Sequence, residues 1–218
     1  MHILAQEGYE GYGFDIRSRK SWESYPGKAD LRESTINPAD LVLQDEPPFP
    51  PGAFLIGNHA DELTPWVPLL AAVTPGSSFL NIPCCLHELA GRFSSAKYAI
   101  PHEVLDDLEP NTATLHPLLE AFYAPTPSMT MQSGRYWAFQ LYLAHLTLLS
   151  GFVPEREALR IPSTKNYGMV GRKRLWERPG VSSERAQEMQ AAVKDQISEL
   201  ALAARATWTP RPPQAKAH

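Results

Sequence analysis

Two apolar segments stand out in the pattern of hydrophobic and polar positions along the chain, a continuous run at residues 53–58 and a second segment at residues 78–83. A continuous run is typical of a strand that is buried on both faces, whereas a half-exposed strand alternates apolar and polar positions. Each run closes on polar residues or on proline, which end a strand. The pattern therefore predicts two buried strands, with a helix between them over residues 61–73 that contains proline in its first part.

Helical periodicity is clearest at residues 137–149, where apolar side chains recur on one face. These side chains are Phe139, Tyr142, Leu143, Leu146 and Leu149. A final helix is predicted after Ser182, a residue type that caps helix N-termini. Its apolar stripe consists of Ala186, Met189, Val193, Ile197 and Leu200. The first residues indicate the end of an amphipathic helix that stops at Gly8, because glycine is the usual residue at that position.

Shorter strands are predicted at residues 11–16, 151–153 and 158–161. Strands that alternate with helices are typical of an α/β domain with a mostly parallel sheet. We predict one folded domain over residues 1–178 and a C-terminal helix within 179–208. The Pro-, Ala- and Lys-rich residues 209–218 are predicted to be disordered.

Charge and cysteine content limit the chemistry that the chain can support. The 218 residues carry a formal net charge of −4, so binding to a nucleic acid would have to use a local basic patch. The two cysteines, Cys84 and Cys85, are adjacent. Neighbouring cysteines do not supply a zinc ligand set or a disulfide framework, and this usage favours a reducing, intracellular location.

Polar and ionisable residues follow three of the predicted strands. They are Asp15 after the first, Asn58, His59, Asp61 and Glu62 after the second, and Asn81, Pro83, Cys84 and Cys85 at the end of the third. In open α/β sheets, ligands bind beyond the carboxyl ends of the strands. A carboxylate in the place of Asp15 can accept from the hydroxyls of a nucleotide ribose, although a turn aspartate or a helix cap would satisfy the same pattern.

The second strand end offers a general base, since His59, Asp61 or Glu62 could accept a proton. The alternative is structural: Asp61 caps the following helix, and Glu62 lies in its first turn, where the helix dipole stabilises a negative charge. No third metal ligand stands at a diagnostic spacing from His59 and Asp61, so no metal site is predicted. Cys84 and Cys85 are expected to pack beside a pocket, because small buried thiols are commoner than nucleophilic ones.

Basic residues cluster in two places, next to potential stacking partners. Arg17, Arg19 and Lys20 precede Trp22, and a second set comprises Arg160, Lys165, Arg172, Lys173 and Arg174. Cationic side chains neutralise phosphates, and an aromatic ring can stack on an unpaired base. RNA binding is therefore predicted at both clusters, with a merely solvated charged surface as the alternative.

Four segments resemble signature segments of the eukaryotic tRNA (uracil-2′-O-)-methyltransferases. They are residues 15–22, 56–66, 79–85 and 159–166. The resemblance runs from about residue 1 to about residue 175. It implies a Rossmann-like class I S-adenosylmethionine-dependent methyltransferase fold and a cytoplasmic enzyme. Its reaction would be methylation of the ribose 2′-hydroxyl of a uridine next to the variable arm of serine tRNA.

The resemblance also implies roles for individual residues. Asp15 would bind the cofactor ribose, and Asn58, Asp61, Asn81 and Pro83 would form the cofactor and substrate pocket. Asp61, Glu62 and His59 are the candidate proton acceptors, while Lys20 and Lys165 are candidate orienting cations. Which of the acceptors takes the proton is left open.

One departure separates the chain from the family's pattern. The family's sheet begins with a strand and an acidic, glycine-rich turn that cradles the methionine end of the cofactor, and Met1 already lies in the helix after that turn. We therefore expect an N-terminally truncated domain. Two alternatives remain at this point, a catalytically inactive RNA-binding remnant and a small-molecule methyltransferase with the same sheet. The sequence does not identify an accessory protein.

Overall fold

The structure is a computed structural model that describes residues 1–24, 29–101, 103–104, 119, 122, 134–163 and 165–208. Its described residues divide into two compact units, one within Met1–Asn37 and one formed by Pro38–Trp208. Each unit is described by itself. The predicted tail at 209–218 lies outside the described residues, and the prediction of one domain over 1–178 stays a prediction.

The first unit contains a short helix and two paired strands. Helix α1 spans His2–Gln6, and Gly8 follows it with φ +88°, as its predicted role at a helix end requires. Strand β1 spans Tyr12–Asp15 and pairs in parallel with β2, which spans Asp30–Glu33. A 3₁₀ helix at Lys20–Ser24 lies between the two strands in sequence. The predicted strand within 11–16 is confirmed.

The second unit is built on a four-stranded sheet. Its strands are β3 (Phe54–Asn58), β4 (Ser78–Ile82), β7 (Glu155–Ala158) and β8 (Tyr167–Gly171). The order across the sheet is β3–β4–β8–β7. Between β4 and β7 in sequence lies a two-stranded antiparallel hairpin, with β5 at His87–Glu88 and β6 at Gly91–Arg92.

The sheet is mixed, so the prediction of a mostly parallel sheet is wrong for this unit. Strands β3 and β4 are parallel, whereas β8 is antiparallel to both of its neighbours, β4 and β7. The predicted late strands at 151–153 and 158–161 are also wrong in position. Strand β7 ends at Ala158, and β8 at Tyr167–Gly171 is not predicted. Two glycines interrupt the apolar pattern of β8, and this conceals it from a search for periodicity.

Both central strands predicted from the apolar runs are confirmed, but β3 is not buried on both faces. Phe54 and Ile56 are 54% and 44% exposed, while Leu55 packs into the core. Successive side chains of a strand point to opposite faces of the sheet, and the face of β3 that carries Phe54 and Ile56 is exposed, so a continuous apolar run does not by itself guarantee burial. In β4, by contrast, Phe79 is fully buried.

Four helices complete the second unit among its described residues. They are α2 (Pro38–Leu43), α3 (Val67–Ala72), α4 (Gly134–Leu149) and α5 (Ser183–Arg205). A 3₁₀ helix at Asp61–Trp66 leads into α3, which matches the proline-containing first part predicted for that helix. Helix α5 starts as predicted, with the Ser182 hydroxyl accepting from the amide of Arg185 at 3.1 Å.

Helix α4 is buried more completely than its predicted single face. Buried side chains lie all round it, including Gln140 and Thr147 as well as Phe139 and Leu143. Of the apolar stripe predicted for α5, Met189 and Ile197 are buried. No helix in the described part of the chain has both the length and the apolar character needed to cross a bilayer.

A glycine in β8 is required by the packing of the sheet against the core. A Cβ added at Gly171 would lie 2.2 Å from Cε1 of Phe79, whose ring is fully buried. We expect Gly171→Ala to lower the free energy of unfolding by about 2 kcal/mol, because overpacking forces a buried ring to move. At this chain length the loss corresponds to a fall in Tm of roughly 4–8 °C, measurable by circular dichroism.

Gly91→Ala is the matched control, since a Cβ there meets nothing within 4 Å. Its Tm should stay within about 2 °C of the parent value. Equal melting temperatures for the two variants would contradict the packing described for Phe79.

Candidate active site

The parallel pairing of β3 and β4 brings two predicted site segments to one edge of the sheet. Asn58, the last residue of β3, is in register with Ile82, the last residue of β4. The chain therefore leaves both strands side by side, and the segments 58–62 and 83–85 face the same edge. Asn58 and His59 are exposed there, while Asp61 and Glu62 are half-buried.

The turn after β3 holds two non-glycine residues in left-handed backbone conformations. His59 has φ 53° and Asp61 has φ 47°, and within the described residues these are the only non-glycine residues with positive φ. This conformation is disfavoured for residues with a Cβ and concentrates at functional sites. The fold therefore maintains a strained turn where the sequence predicts the proton acceptor.

A thiol–carboxylate cluster fixes the Asp61 side chain. The Cys84 thiol donates to Oδ1 of Asp61 at 3.7 Å, and the Sγ atoms of Cys84 and Cys85 are 3.5 Å apart. One ligand-type atom from each of these three residues lies within 4.8 Å of the others. The hydrogen bond to Asp61, followed by burial, raises the pKa of Cys85 to about 12.

The two cysteines therefore do more than the packing that the sequence predicts. A thiol with so high a pKa stays protonated at neutral pH, so it is a poor nucleophile and a hydrogen-bond donor. Here it donates toward a carboxylate at the strand edge. The signal that sequence analysis lacked is distance along the chain, because Asp61 and Cys84 are 23 residues apart.

Asn81 supports the structure at this edge of the sheet, and its side chain is not exposed there. Its side chain is 1% exposed, and its Nδ2 donates to the Thr64 carbonyl at 2.6 Å. A Cβ on Gly57 would come within 2.6 Å of Oδ1 of Asn81, so glycine is needed beside it. Through this bond the buried Asn81 amide holds the segment after Asp61 in place, and its contact with a cofactor stays a prediction.

The segment after β4 is held from two further directions. The Tyr136 hydroxyl of α4 donates to the carbonyl of buried Pro83 at 3.4 Å. The Nζ of Lys165 donates to the Cys84 carbonyl at 2.5 Å, across 81 residues of sequence. Burial raises the pKa of Tyr136 to about 12, which keeps its hydroxyl a donor. Sequence analysis missed Tyr136, which lies just before the predicted helix and shares no motif with Pro83.

In the first unit, Asp15 closes β1 as predicted. Its Oδ1 accepts from the Arg17 amide at 3.2 Å and its Oδ2 from Nη2 of Arg19 at 2.9 Å. The Asp15 side chain is 31% exposed, so the carboxylate both shapes the turn and faces solvent. Lys20 is exposed on the 3₁₀ helix that also contains half-buried Trp22.

One member of the second basic set, Arg174, is buried in the structure. Arg174 is 8% exposed, and its Nη2 donates to the Ala71 and Ser77 carbonyls at 3.3 and 3.1 Å. Its guanidinium carbon lies 3.8 Å from the centroid of the Phe152 ring. Burial lowers the pKa of Arg174 to about 10. A cation enclosed in this way links the sheet to its flanking segments and cannot reach a phosphate.

The remaining members of that set are exposed. Arg172 pairs with Glu155 through Nη2 at 2.7 Å, and Lys173 lies 3.5 Å from the same carboxylate. Arg160 and Lys165 extend from the loop between β7 and β8. For Arg160, Arg172 and Lys173, contact with RNA therefore stays a prediction that their exposure allows.

Each unit, taken by itself, exposes one polar group of the kind that a nucleotide-type cofactor needs at the end of a strand. Asp15 offers a partly exposed carboxylate beside backbone amides, and Asn58 offers an exposed amide. Ribose hydroxyls and a charged amino acid end need such donors and acceptors. Asn81 and Pro83, in the second unit, are both buried.

Comparison with known proteins confirms the resemblance found in the sequence. A family model described as a predicted AdoMet-dependent methyltransferase matches residues 1–38. A tRNA (uracil-O(2)-)-methyltransferase of Schizosaccharomyces pombe is 36% identical over 197 residues, which is 80% of this chain and 34% of that protein. The Neurospora crassa protein of the same name is 33% identical over 198 residues, again 80% of this chain and 34% of its own length.

A human protein named probable tRNA (uracil-O(2)-)-methyltransferase is 31% identical over 177 residues, covering 81% of this chain and 18% of its own length. No solved structure matches. The chain thus spans about one third or less of the curated relatives that it matches. Over four fifths of its length, this chain is similar to a segment of the tRNA (uracil-O(2)-)-methyltransferases.

Proposed function

We propose that this chain is the larger part of the methyltransferase domain of an S-adenosylmethionine-dependent tRNA methyltransferase. The reaction is methylation of the ribose 2′-hydroxyl of a uridine near the variable arm of serine tRNA, in the cytoplasm. The observation that carries the proposal is the strained turn at His59 and Asp61 beside the Cys84–Cys85 thiols. Both segments belong to runs that resemble the family, and relatives with that printed name match over 80% of the chain.

The cofactor is assigned to the exposed acceptors described above. Asp15 would accept from the ribose hydroxyls, which requires the Arg19 guanidinium to yield Oδ2 or to share it. Asn58 would bind at the end of β3, with Asn81 and Pro83 supporting that strand end. When bound, S-adenosylmethionine supplies a methyl group already activated by its sulfonium, so the chain contributes mainly alignment and proton removal.

Asp61 is the best supported of the three candidate proton acceptors. A carboxylate held by a thiol donor and by a strained backbone has little freedom to turn away from a 2′-hydroxyl. It accepts the hydroxyl proton on a carboxylate oxygen as the oxygen becomes nucleophilic. Glu62 and His59 flank it and stay the other two candidates. Lys20 stays a candidate orienting cation.

Arg17, Arg19 and Trp22, with Arg160, Arg172 and Lys173, are assigned to the tRNA. Exposed cations contact phosphates, and the half-buried indole offers a face for an unpaired base. The acidic chain has no overall basic field, which limits the contact to these local patches.

The proposed fold is a Rossmann-like class I sheet. Strands β3, β4 and β7 run in the same direction, with β8 inserted antiparallel between β4 and β7. In the doubly wound order the first strand lies beside the fourth. Within the described part of the sheet, β3 is an edge strand. In the proposed fold β3 is the fourth strand of that order, and its outer backbone edge is where the first strand would pair.

The test is transfer of a tritiated methyl group from S-adenosylmethionine to serine tRNA. It uses the 218-residue chain alone and a chimera in which the chain replaces the matching segment of the Schizosaccharomyces pombe protein. We expect label in the chimera, and none when the target nucleotide is 2′-deoxyuridine. The deoxy substrate distinguishes ribose from base methylation, because it lacks only the accepting oxygen.

Each outcome separates the proposal from its alternatives. Absence of label with a folded chimera would overturn the enzymatic proposal. Salt-dependent tRNA binding without methyl transfer would then favour the RNA-binding remnant. Equal labelling of the deoxy substrate would place the methyl group elsewhere than on the 2′-oxygen.

A further inference from the structure

Lys165 is anchored at the strand edge by a loop whose own bonds fix it there. In the loop between β7 and β8, the Ser163 hydroxyl accepts from the Lys165 amide at 3.1 Å. The amide of Leu159 donates to the Asn166 carbonyl at 2.7 Å, which closes the loop across its base. A closed loop with a side-chain bond to its own backbone restricts where the lysine stem can point.

The ammonium of Lys165 ends on a backbone carbonyl and not on an acidic side chain. Its Nζ is 2.5 Å from the Cys84 carbonyl. A charged donor on a neutral carbonyl makes a stronger bond than a neutral pair does. The carbonyl belongs to the residue whose thiol donates to Asp61.

The three contacts form a continuous chain of bonds from the loop to the carboxylate. Lys165 holds the Cys84 backbone, Tyr136 holds the preceding Pro83 carbonyl, and the Cys84 thiol then reaches Asp61. Without the lysine, the short segment after β4 keeps only one of its two side-chain restraints. Its thiols would then move relative to Asp61.

We propose that Lys165 is a positioning residue for Asp61, acting through the Cys84 segment, and not a contact to an RNA phosphate. The part of this inference that concerns catalysis rests on the proposed function. The structural part does not, because the bonds from Lys165 to Cys84 and from Cys84 to Asp61 exist without any substrate. The two parts therefore have separate measurements.

The first measurement is the rate at which iodoacetamide alkylates Cys84 and Cys85 in the 218-residue chain. Mass spectrometry monitors the reaction. Lys165→Met keeps the aliphatic stem and removes the donor. We expect it to raise the rate about tenfold, because the thiols leave the carboxylate that keeps them protonated. Loss of a nearby cation alone would raise the thiol pKa and slow the reaction, so an unchanged or slower rate would overturn the proposal.

Two variants calibrate this measurement. Asp61→Asn removes the carboxylate and should also speed alkylation, which shows that the rate reports this contact. Arg160→Met removes a cation from the same loop and should leave the rate unchanged, since the bond to the Cys84 carbonyl comes from Lys165 and not from Arg160. If Arg160→Met accelerates alkylation as much as Lys165→Met, the effect belongs to the loop in general and the proposal fails.

The second measurement is steady-state methyl transfer at several salt concentrations by the chimera with the Schizosaccharomyces pombe protein, which is the parent protein here, and by its variants. For Lys165→Met we expect kcat to fall about tenfold, with KM for tRNA and its salt dependence unchanged. For Arg160→Met we expect the reverse, a higher KM and a salt slope smaller by about 0.7 to 0.9, as loss of one phosphate contact requires. A smaller salt slope with normal kcat in Lys165→Met would identify it as a phosphate contact.

Failure of the proposed function is distinguishable from failure of this inference. If the parent protein transfers no methyl group while alkylation responds to Lys165→Met, the proposed function fails and the structural role of Lys165 stands. If the parent protein is active and neither alkylation nor kcat responds, the inference fails alone.

Discussion

Replacing Asp61 with asparagine is expected to lower kcat for methyl transfer to serine tRNA by about 10²- to 10⁴-fold, the usual contribution of a positioned general base. Asparagine keeps the size of the side chain and one of its two acceptor oxygens, but it cannot take the hydroxyl proton. The left-handed backbone at Asp61 also suits asparagine, a residue type that tolerates this conformation. The comparison should therefore isolate chemistry from folding, provided that the two proteins melt at the same temperature.

Two neighbouring substitutions decide whether Asp61 is the acceptor. Glu62→Gln and His59→Gln remove the other candidates from the same turn, and each is expected to reduce kcat less than about tenfold. The assay is single-turnover transfer of labelled methyl, with tRNA binding measured in parallel. A larger loss in either of these variants than in Asp61→Asn would move the proton-accepting role to that residue.

Replacing Arg174 with alanine is expected to lower the free energy of unfolding by about 3 kcal/mol, or roughly 6–12 °C in Tm for a chain of this length. The substitution leaves the Ala71 and Ser77 carbonyls without the donor they share. It also opens a cavity against the Phe152 ring. Loss of a buried charged donor and of packing together is among the larger effects of a single substitution.

The corresponding control is Arg160→Ala, in which an exposed arginine of the same predicted basic set is removed. Its Tm should change by less than about 2 °C. Fluorescence anisotropy with labelled tRNA completes the comparison. An Arg174→Ala protein with a normal Tm and weakened tRNA binding would restore the sequence-based prediction that Arg174 contacts RNA.

Strands and helix ends lie where the sequence predicts them when neighbouring residues give a strong signal. The runs at 53–58 and 78–83 are strands, Ser182 caps the last helix, and Gly8 ends the first one. These signals need only neighbouring residues, so they can be recognised without knowledge of the partner elements. Strand β8 gives no such signal, because it is a short strand with two glycines that contact the side chains of Leu80 and Phe79 in the neighbouring strand.

In the candidate site, too, some features are visible in the sequence and others only in the structure. That polar groups follow β3 and β4 is visible in the sequence, and so is the resemblance of those segments to the tRNA (uracil-2′-O-)-methyltransferases. The direction of each side chain is not visible. Asn81 and Arg174 have the residue types of ligand-binding groups, yet the structure buries them and bonds them to backbone carbonyls.

The sequence by itself thus determines the two central strands, the end of the first helix and the start of the last one, the charged clusters and the family likeness, since each depends on residue type and short spacing. Only the tertiary structure decides that β8 runs antiparallel within the sheet, that the Cys84 thiol reaches Asp61, and that Lys165 reaches across 81 residues to the Cys84 carbonyl. The physical reason is that these contacts join residues far apart in the chain. Their geometry is set by packing between elements, which no local pattern encodes.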